Sequence, residues 1–160
     1  MLSPEIEDFS TSHARECCEI AKENWTHRLS KVYNQRIVSY FVNQCTPEKF
    51  IGSSRKGKIF VARVSQKVIG FVAVKFLEKK SLEIARLFIR PEYQNQGIGS
   101  LLIRYLENKY RNIERIIVRS AQLQETVNFY KKNGFRIERE LERKVNDEVL
   151  REYLMVKKVK

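Results

Sequence analysis

One stretch constrains this chain more than any other. Over residues 82–106 a strand-like run gives way to a helix-like run, and the change is punctuated by one proline and two glycines. Alternation through Leu82–Ile89 predicts a strand, with Leu82, Ile84, Arg86 and Phe88 on one face and Glu83, Ala85, Leu87 and Ile89 on the other. Pro91 ends it, and the polar segment Glu92–Gly99 turns the chain. Ile98, Leu101, Leu102, Tyr105 and Leu106 then follow the i, i+3, i+4, i+7, i+8 spacing of an amphipathic helix. Gly97 and Gly99 remove side chains where backbone must turn tightly and come close to a ligand. The first turn of the following helix has N–H groups without intrahelical partners. With the positive end of the helix dipole they make an anion site suited to a pyrophosphate, the alternative being an ordinary strand-to-helix turn.

Elements on either side extend this pattern into a domain. A short strand at residues 4–9 is followed by the N-cap hydroxyls of Ser10, Thr11 and Ser12 and a helix carrying Ala14, Cys17, Cys18, Ala21 and Trp25. A second helix is predicted from about Leu29 to Gln44, stopped by Thr46-Pro47, and a loop over Gly52–Gly57. Ile59–Val64 and Val68–Leu77 read as a hairpin joined at Ser65-Gln66-Lys67. Arg115–Val118 is a short strand, Leu123, Val127 and Tyr130 mark a helix stopped by Asn133-Gly134, and Phe135–Val145 with Val149–Val159 bracket a turn at Asn146-Asp147. Hairpins mixed with crossover helices imply an α/β fold with a mixed sheet. A length of 160 residues with no repeat and no linker reads as one domain spanning 1–160.

Composition narrows the class. No apolar run is long enough for a membrane-spanning helix, and the acidic start Met1–Asp8 lacks the layout of a signal peptide. Leu2 stands where myristoylation needs glycine. Cys17, Cys18 and Cys45 are odd in number and have no framework spacing, which points to reduced thiols and a cytoplasmic location. The net charge of +12 is unevenly spread: residues 1–50 hold 6 basic and 7 acidic side chains, residues 51–160 hold 25 and 12. The second segment therefore faces something anionic, such as nucleic acid, a membrane surface or a phosphorylated cofactor, unless the charge serves solubility alone.

Spacing tests two nucleotide-binding alternatives. A P-loop needs Lys then Ser/Thr after its last glycine, but Ser100-Leu101 follows Gly99. A dinucleotide fingerprint needs a small residue where Leu102 stands and an acidic one near Arg119-Ser120. Both fit poorly. Gln94-x-x-Gly97-x-Gly99 instead resembles the Q/R-x-x-G-x-G/A acetyl-CoA signature of the GNAT superfamily of N-acetyltransferases. Leu87–Tyr93 is similar to the strand and proline that precede that signature, and Asn128–Phe135 resembles the family's FY-x-x-x-GF segment. The element order matches over nearly the whole chain.

The resemblance implies a single-domain GNAT-like fold whose mixed, mostly antiparallel sheet is flanked by helices and splayed at its centre, between the 82–89 and 115–118 strands. It implies acetyl-CoA as cosubstrate and no metal. Backbone of Leu87 and Ile89, with Phe88 between them, would pair with the pantetheine arm. Gln94, Asn95, Gln96, Gly97, Ile98, Gly99 and Ser100 would hold the pyrophosphate through backbone N–H groups. Arg104, Lys131 and Lys132 are candidates for the 3′-phosphate. Glu83, eleven residues before Gln94, is the general-base candidate, with burial in an apolar strand to raise its pKa; the alternative is a rim carboxylate paired with a lysine. Tyr130 is the general acid for the leaving thiolate, the alternative being a core aromatic. Two departures stand out: Leu123 replaces an asparagine that often contacts CoA, and Thr126 replaces a common alanine.

The activity implied is direct transfer of an acetyl group to a primary amine (a small molecule, a protein N-terminus or a lysine) in a ternary complex. The alternatives are a basic nucleic-acid or ribosome-associated binding module and a CoA-binding protein of this fold without catalysis. No helix-turn-helix, RNP or zinc signature supports nucleic acid as the main partner. No membrane partner is expected, and the resemblance leaves a homodimer open. His13 and Cys17 have workable metal spacing but no second pair nearby, so core packing is the reading for Cys17 and Cys18. His27, between the first two helices, reads as a surface loop residue, the alternative being a place in the acceptor cleft. Lys157–Lys160 reads as a frayed, solvated end, the alternative being contact with RNA.

Overall fold

A computed structural model describes residues 3–159; Met1, Leu2 and Lys160 lie outside the described residues. The chain runs β1 (Glu5–Asp8), α1 (Ala14–His27), α2 (Gln35–Gln44), α3 (Pro47–Lys56), β2 (Lys58–Val64), β3 (Lys67–Leu77), β4 (Ser81–Ile89), α4 (Ile98–Lys109), β5 (Arg115–Ala121), α5 (Gln124–Lys132), β6 (Arg136–Val145) and β7 (Glu148–Lys158). Seven strands form one sheet in the order β1-β2-β3-β4-β5-β7-β6. Every neighbouring pair is antiparallel except β4 and β5. This is the mixed, mostly antiparallel α/β architecture expected. No helix among the described residues is long and apolar enough to cross a membrane.

Helices cover both faces. On one, α4 and α5 bury Leu102, Ile103, Leu106, Val127 and Tyr130 against Phe60, Val72, Leu82, Ile84 and Met155. On the other, α1 and α3 bury Cys17, Ile20 and Phe50 against Val61 and Phe71. A smaller cluster of Ile37, Val145 and Leu150 ties α2 to the β6–β7 hairpin, whose turn residues Asn146 and Asp147 both take positive φ.

Three predicted details differ. The stretch 29–44 is not one helix: a 3₁₀ turn over Leu29–Lys31 precedes an extended Asn34, whose side chain caps α2 by accepting from the Ile37 N–H at 3.0 Å. Gly52–Gly57 is not a loop up to Lys56, because Thr46-Pro47 also starts a helix: the Thr46 hydroxyl accepts from Lys49 N–H, proline takes the first turn, and Phe50 anchors α3 in the core. The small residues 52–54 ride on its less buried side.

The third difference bears on the site. Ala73 pairs with Arg86 while Val74 pairs with Ile84, so Ala85 is the extra residue of a β-bulge. The bulge switches the faces of β4. Leu82, Ile84, Leu87 and Ile89 share the α4/α5 side, whereas Phe88 packs with Phe71 under α1 and α3. Arg86 stacks 4.2 Å over the Phe50 ring on that same second side.

Candidate active-site cleft

β4 and β5 are in register only from Ser81–Arg115 to Ile84–Val118. Beyond that point β5 keeps β7 as its partner and β4 keeps β3, so the sheet splits between them. The bulge at Ala85 bends and twists β4 where the split begins. Arg90 N–H donates to the Ile69 carbonyl at 2.7 Å. By the alternation of an antiparallel ladder, Phe88 and Arg86 then aim their peptide groups at β3, while Leu87 and Ile89 aim theirs into the split. Phe88 therefore adds neither side chain nor peptide group to the opening, a correction to its expected place beside the ligand.

The split opens into a cleft of about 470 Å³ between β4, the turn before α4, and α5. Leu87, Ile89, Gln94, Asn95, Gly97, Ile98, Gly99, Ser100 and Tyr130 all line it. Gln96 does not; its amide donates back to the Glu92 carbonyl at 3.3 Å. Asn95 and Gly97 both sit in the left-handed region, at φ 61° and 82°. Gly97 caps α4 without a side chain, leaving the first-turn donors at Ile98, Gly99 and Ser100 open toward the cleft. Gly99 serves closeness: a Cβ there would meet the Phe129 ring at 2.8 Å, so α5 packs on bare backbone. Besides the positive end of the α4 dipole, the cleft wall holds two cations, Arg28 near the start of α5 and Lys132 at its end, and one carboxylate, Glu125. Arg104 and Lys131 do not line it.

A buried amide organises the cleft floor. Asn24 on α1 is wholly buried. Its Nδ2 donates to the carbonyls of Ile20 (2.9 Å) and Ile89 (3.0 Å). Its Oδ1 accepts from Arg28 Nη1 (3.1 Å) and from Gln94 Nε2 (3.2 Å). Gln94 Nε2 also reaches the Ile89 carbonyl at 3.1 Å, so the Gln94 side chain braces the turn against β4 and α1. Arg28 continues the chain of bonds to the Thr126 hydroxyl at 2.8 Å, with Glu125 at 3.6 Å. Thr126, a departure from the family pattern, thus joins α5 to α1. Sequence reasoning missed Asn24 and Arg28. The signal for Asn24 was present: it occupies the apolar stripe of Cys17, Ile20 and Ala21, where an uncharged polar residue must find partners.

The two catalytic candidates lie on different faces of the sheet. Tyr130 projects from α5 with a 5% exposed side, its ring edge-on to Phe129 and Phe135. Burial pushes its phenol well above the ordinary tyrosine value, so it holds its proton at neutral pH. Glu83 does not line the cleft. It faces the α1–α3 side, beside the start of the split, with Arg119 Nε at 3.6 Å. Its partner is an arginine of β5, not a lysine.

The other singled-out residues have structural roles. Cys17 and Cys18 are buried, which pushes their thiols up to about 12 and about 11. His13 turns its Nε2 to Glu7 at 3.3 Å, away from any pairing with Cys17, and His27 is exposed.

Comparison with known proteins agrees with this geometry. Residues 55–137 match the acetyltransferase (GNAT) domain model. The PaiA N-acetyltransferase of Thermoplasma acidophilum, solved in complex with coenzyme A, is 24% identical over 98% of this chain and 99% of its own, with a TM-score of 0.82. A GCN5-related N-acetyltransferase from Rhodopseudomonas palustris is 19% identical over 99% and 97%, with a TM-score of 0.84. Ard1 from Thermoplasma volcanium is 21% identical over 99% of both chains, with a TM-score of 0.78. At these identities the likeness is one of fold. No curated protein sequence matches significantly.

Proposed function

The chain belongs to the GNAT acetyltransferase domain family, and on that premise we propose that it moves the acetyl group of acetyl-CoA directly to a primary amine in a ternary complex. One observation carries the reading: peptide groups of β4 that have no strand partner, open N–H donors of α4 and Tyr130 all border a single cleft. A structural neighbour solved with coenzyme A adds support.

In this reading the Leu87 peptide group and the Ile89 N–H are offered strand-like to the pantetheine arm, while the Ile89 carbonyl is held by Asn24 and Gln94. The turn from Asn95 to Ser100 offers N–H donors to the pyrophosphate. Lys132 is the basic residue placed to meet a further phosphate. Acetyl transfer forms a C–N bond and breaks the C–S bond. The attacking amine must first lose a proton, and the departing thiolate must gain one. Glu83 takes the first role, from the α1–α3 side of the split. Tyr130 takes the second, from the α5 side, and burial keeps it protonated for that purpose. No covalent enzyme intermediate is needed when both substrates are held together.

Calorimetric titration with acetyl-CoA, with NAD as control, tests the premise, and an amine panel then tests transfer. Saturable binding of acetyl-CoA alone is expected. Tyr130→Phe and Glu83→Gln should each lower kcat at least ~10-fold with little change in acetyl-CoA affinity. If neither slows transfer, both role assignments fail, and if acetyl-CoA does not bind, the cleft assignment fails with them.

A further inference from the structure

The end of the molecule opposite the cleft has its own character. The β3–β4 hairpin projects there with Lys75, Lys79 and Lys80, all exposed. Beside it, Arg115 starts β5 and registers against Lys158 near the end of β7. Lys109 and Arg111 flank Tyr110 where α4 ends. Lys58 registers against Val74, one residue from Lys75, and Lys56 ends α3 just before it. These nine exposed cations share the region with three carboxylates, Asp8, Glu78 and Glu114. The surplus of six is half of the chain's +12. Among the described residues only Lys80 of the nine has a carboxylate within 4 Å, Glu114 at 3.5 Å.

Aromatic surface is interleaved with this charge. Phe76 is 49% exposed and Leu77 40%. The Phe76 ring is held edge-to-face on Tyr110, with centroids 4.9 Å apart. By the alternation of β3 the ring shares the Val74 face with Lys58, while Lys75 and Leu77 lie on the other face. It therefore stands at the rim of the sheet with cations on both sides, a stacking platform beside phosphate contacts. The hairpin tip itself is Glu78-Lys79-Lys80, with Lys79 and Lys80 at φ 60° and 54°. The apolar residues therefore lie behind a charged tip. That order suits a base laid on the ring while phosphates meet the lysines, and does not suit insertion into lipid.

We propose that this pole binds single-stranded nucleic acid, at a site separate from the cleft. The two lie at opposite ends of α4, which spans about 18 Å at 1.5 Å per residue. The site would bring the acetyltransferase to acceptors that are themselves bound to nucleic acid.

Fluorescence anisotropy with a labelled oligo(U) RNA is the test, from about 50 to about 200 mM salt. If five phosphates are met, the log–log salt slope should be about −3.5, a roughly 100-fold loss of affinity over that range. The triple charge reversal Lys75→Glu, Lys79→Glu, Lys80→Glu should weaken binding at least ~10-fold and flatten the slope. Phe76→Ala should weaken it about tenfold with the slope unchanged, and a duplex of equal length should bind less tightly than the single strand. Acetyl-CoA titration of each variant should match wild type, which shows that the fold is intact. Failure to bind RNA at the lowest salt, equal binding by the triple variant, or indifference to Phe76→Ala would overturn the proposal. So would binding to phosphatidylserine-containing vesicles but not to RNA, which would make the pole a membrane surface.

Discussion

The two ends of β4 differ although they belong to one strand. From Ser81 to Ile84 the strand is paired on both sides, its apolar side chains are fully covered, and the neighbouring hairpin presents charge together with Phe76 and Leu77 to solvent. From Leu87 to Ile89 it is paired on one side only, and of the peptide groups turned to the split the Ile89 carbonyl is met by Asn24 of α1 and Gln94 of the turn before α4. A satisfied ladder leaves a ligand only the exposed side chains, charged or aromatic, and no peptide group to bond. An interrupted ladder leaves directional donors and acceptors in a sheltered place, which is where chemistry can be specified. The bulge at Ala85 marks the boundary between the two.

The cleft end is the more breakable. Gly99→Val would drive a branched side chain into the Phe129 ring, where even a Cβ sits at 2.8 Å. Acetyl-CoA affinity should fall at least ~100-fold, with about 1–3 kcal/mol of stability lost to overpacking. Calorimetry and urea denaturation measure the two, and retained RNA binding at the far end would show that the ends are independent. Asn24→Ala comes next. It strands Arg28 and Gln94 and removes one donor from the Ile89 carbonyl. A loss of about 1–3 kcal/mol is expected, with a KM for acetyl-CoA raised about tenfold at nearly constant kcat. A variant with unchanged KM would mean that the turn before α4 holds itself in place.

The smallest effect is a pH signature. The folded-state pKa of Tyr130 is raised, so its contribution to stability is fully present below about pH 10, the unfolded value, and is lost as pH rises above it. Wild type and Tyr130→Phe should therefore show the same native tyrosinate absorbance up to about pH 10. Thermal melts above that pH should fall faster for wild type. A tyrosinate that appears in the native protein before unfolding, and is absent from the variant, would place the Tyr130 hydroxyl in water.

Much of this was legible in the chain itself. The switch of period around Pro91, Gly97 and Gly99 places a strand, a turn and a helix, because proline, glycine and the 2.0 and 3.6 periods act locally. The paired motifs at Gln94–Gly99 and Phe129–Phe135 pointed to the family. Reading failed where one residue serves two elements or where a partner is distant. Thr46-Pro47 both stops α2 and starts α3, and the predicted loop at Gly52–Gly57 followed from hearing only the first signal. Asn24 and Arg28 are 65 or more residues from the β4, turn and α5 groups they join.

What the sequence determined alone was therefore most of the elements (though not α3), the glycine-bearing turn before α4 and the excess of positive charge in its second part. The tertiary structure decided the rest. A one-residue bulge against β3 moved Phe88 and Arg86 to the face opposite Leu82 and Ile84, and brought Leu87 and Ile89 to the face of Leu82 and Ile84. Strand pairing decided that Glu83 meets Arg119 outside the cleft. The return of β3, α4 and β7 to one end decided that the scattered lysines share a pole with Phe76. Each of these depends on which strand lies beside which, and pairing is a contact between residues far apart in the chain, which local periodicity does not encode.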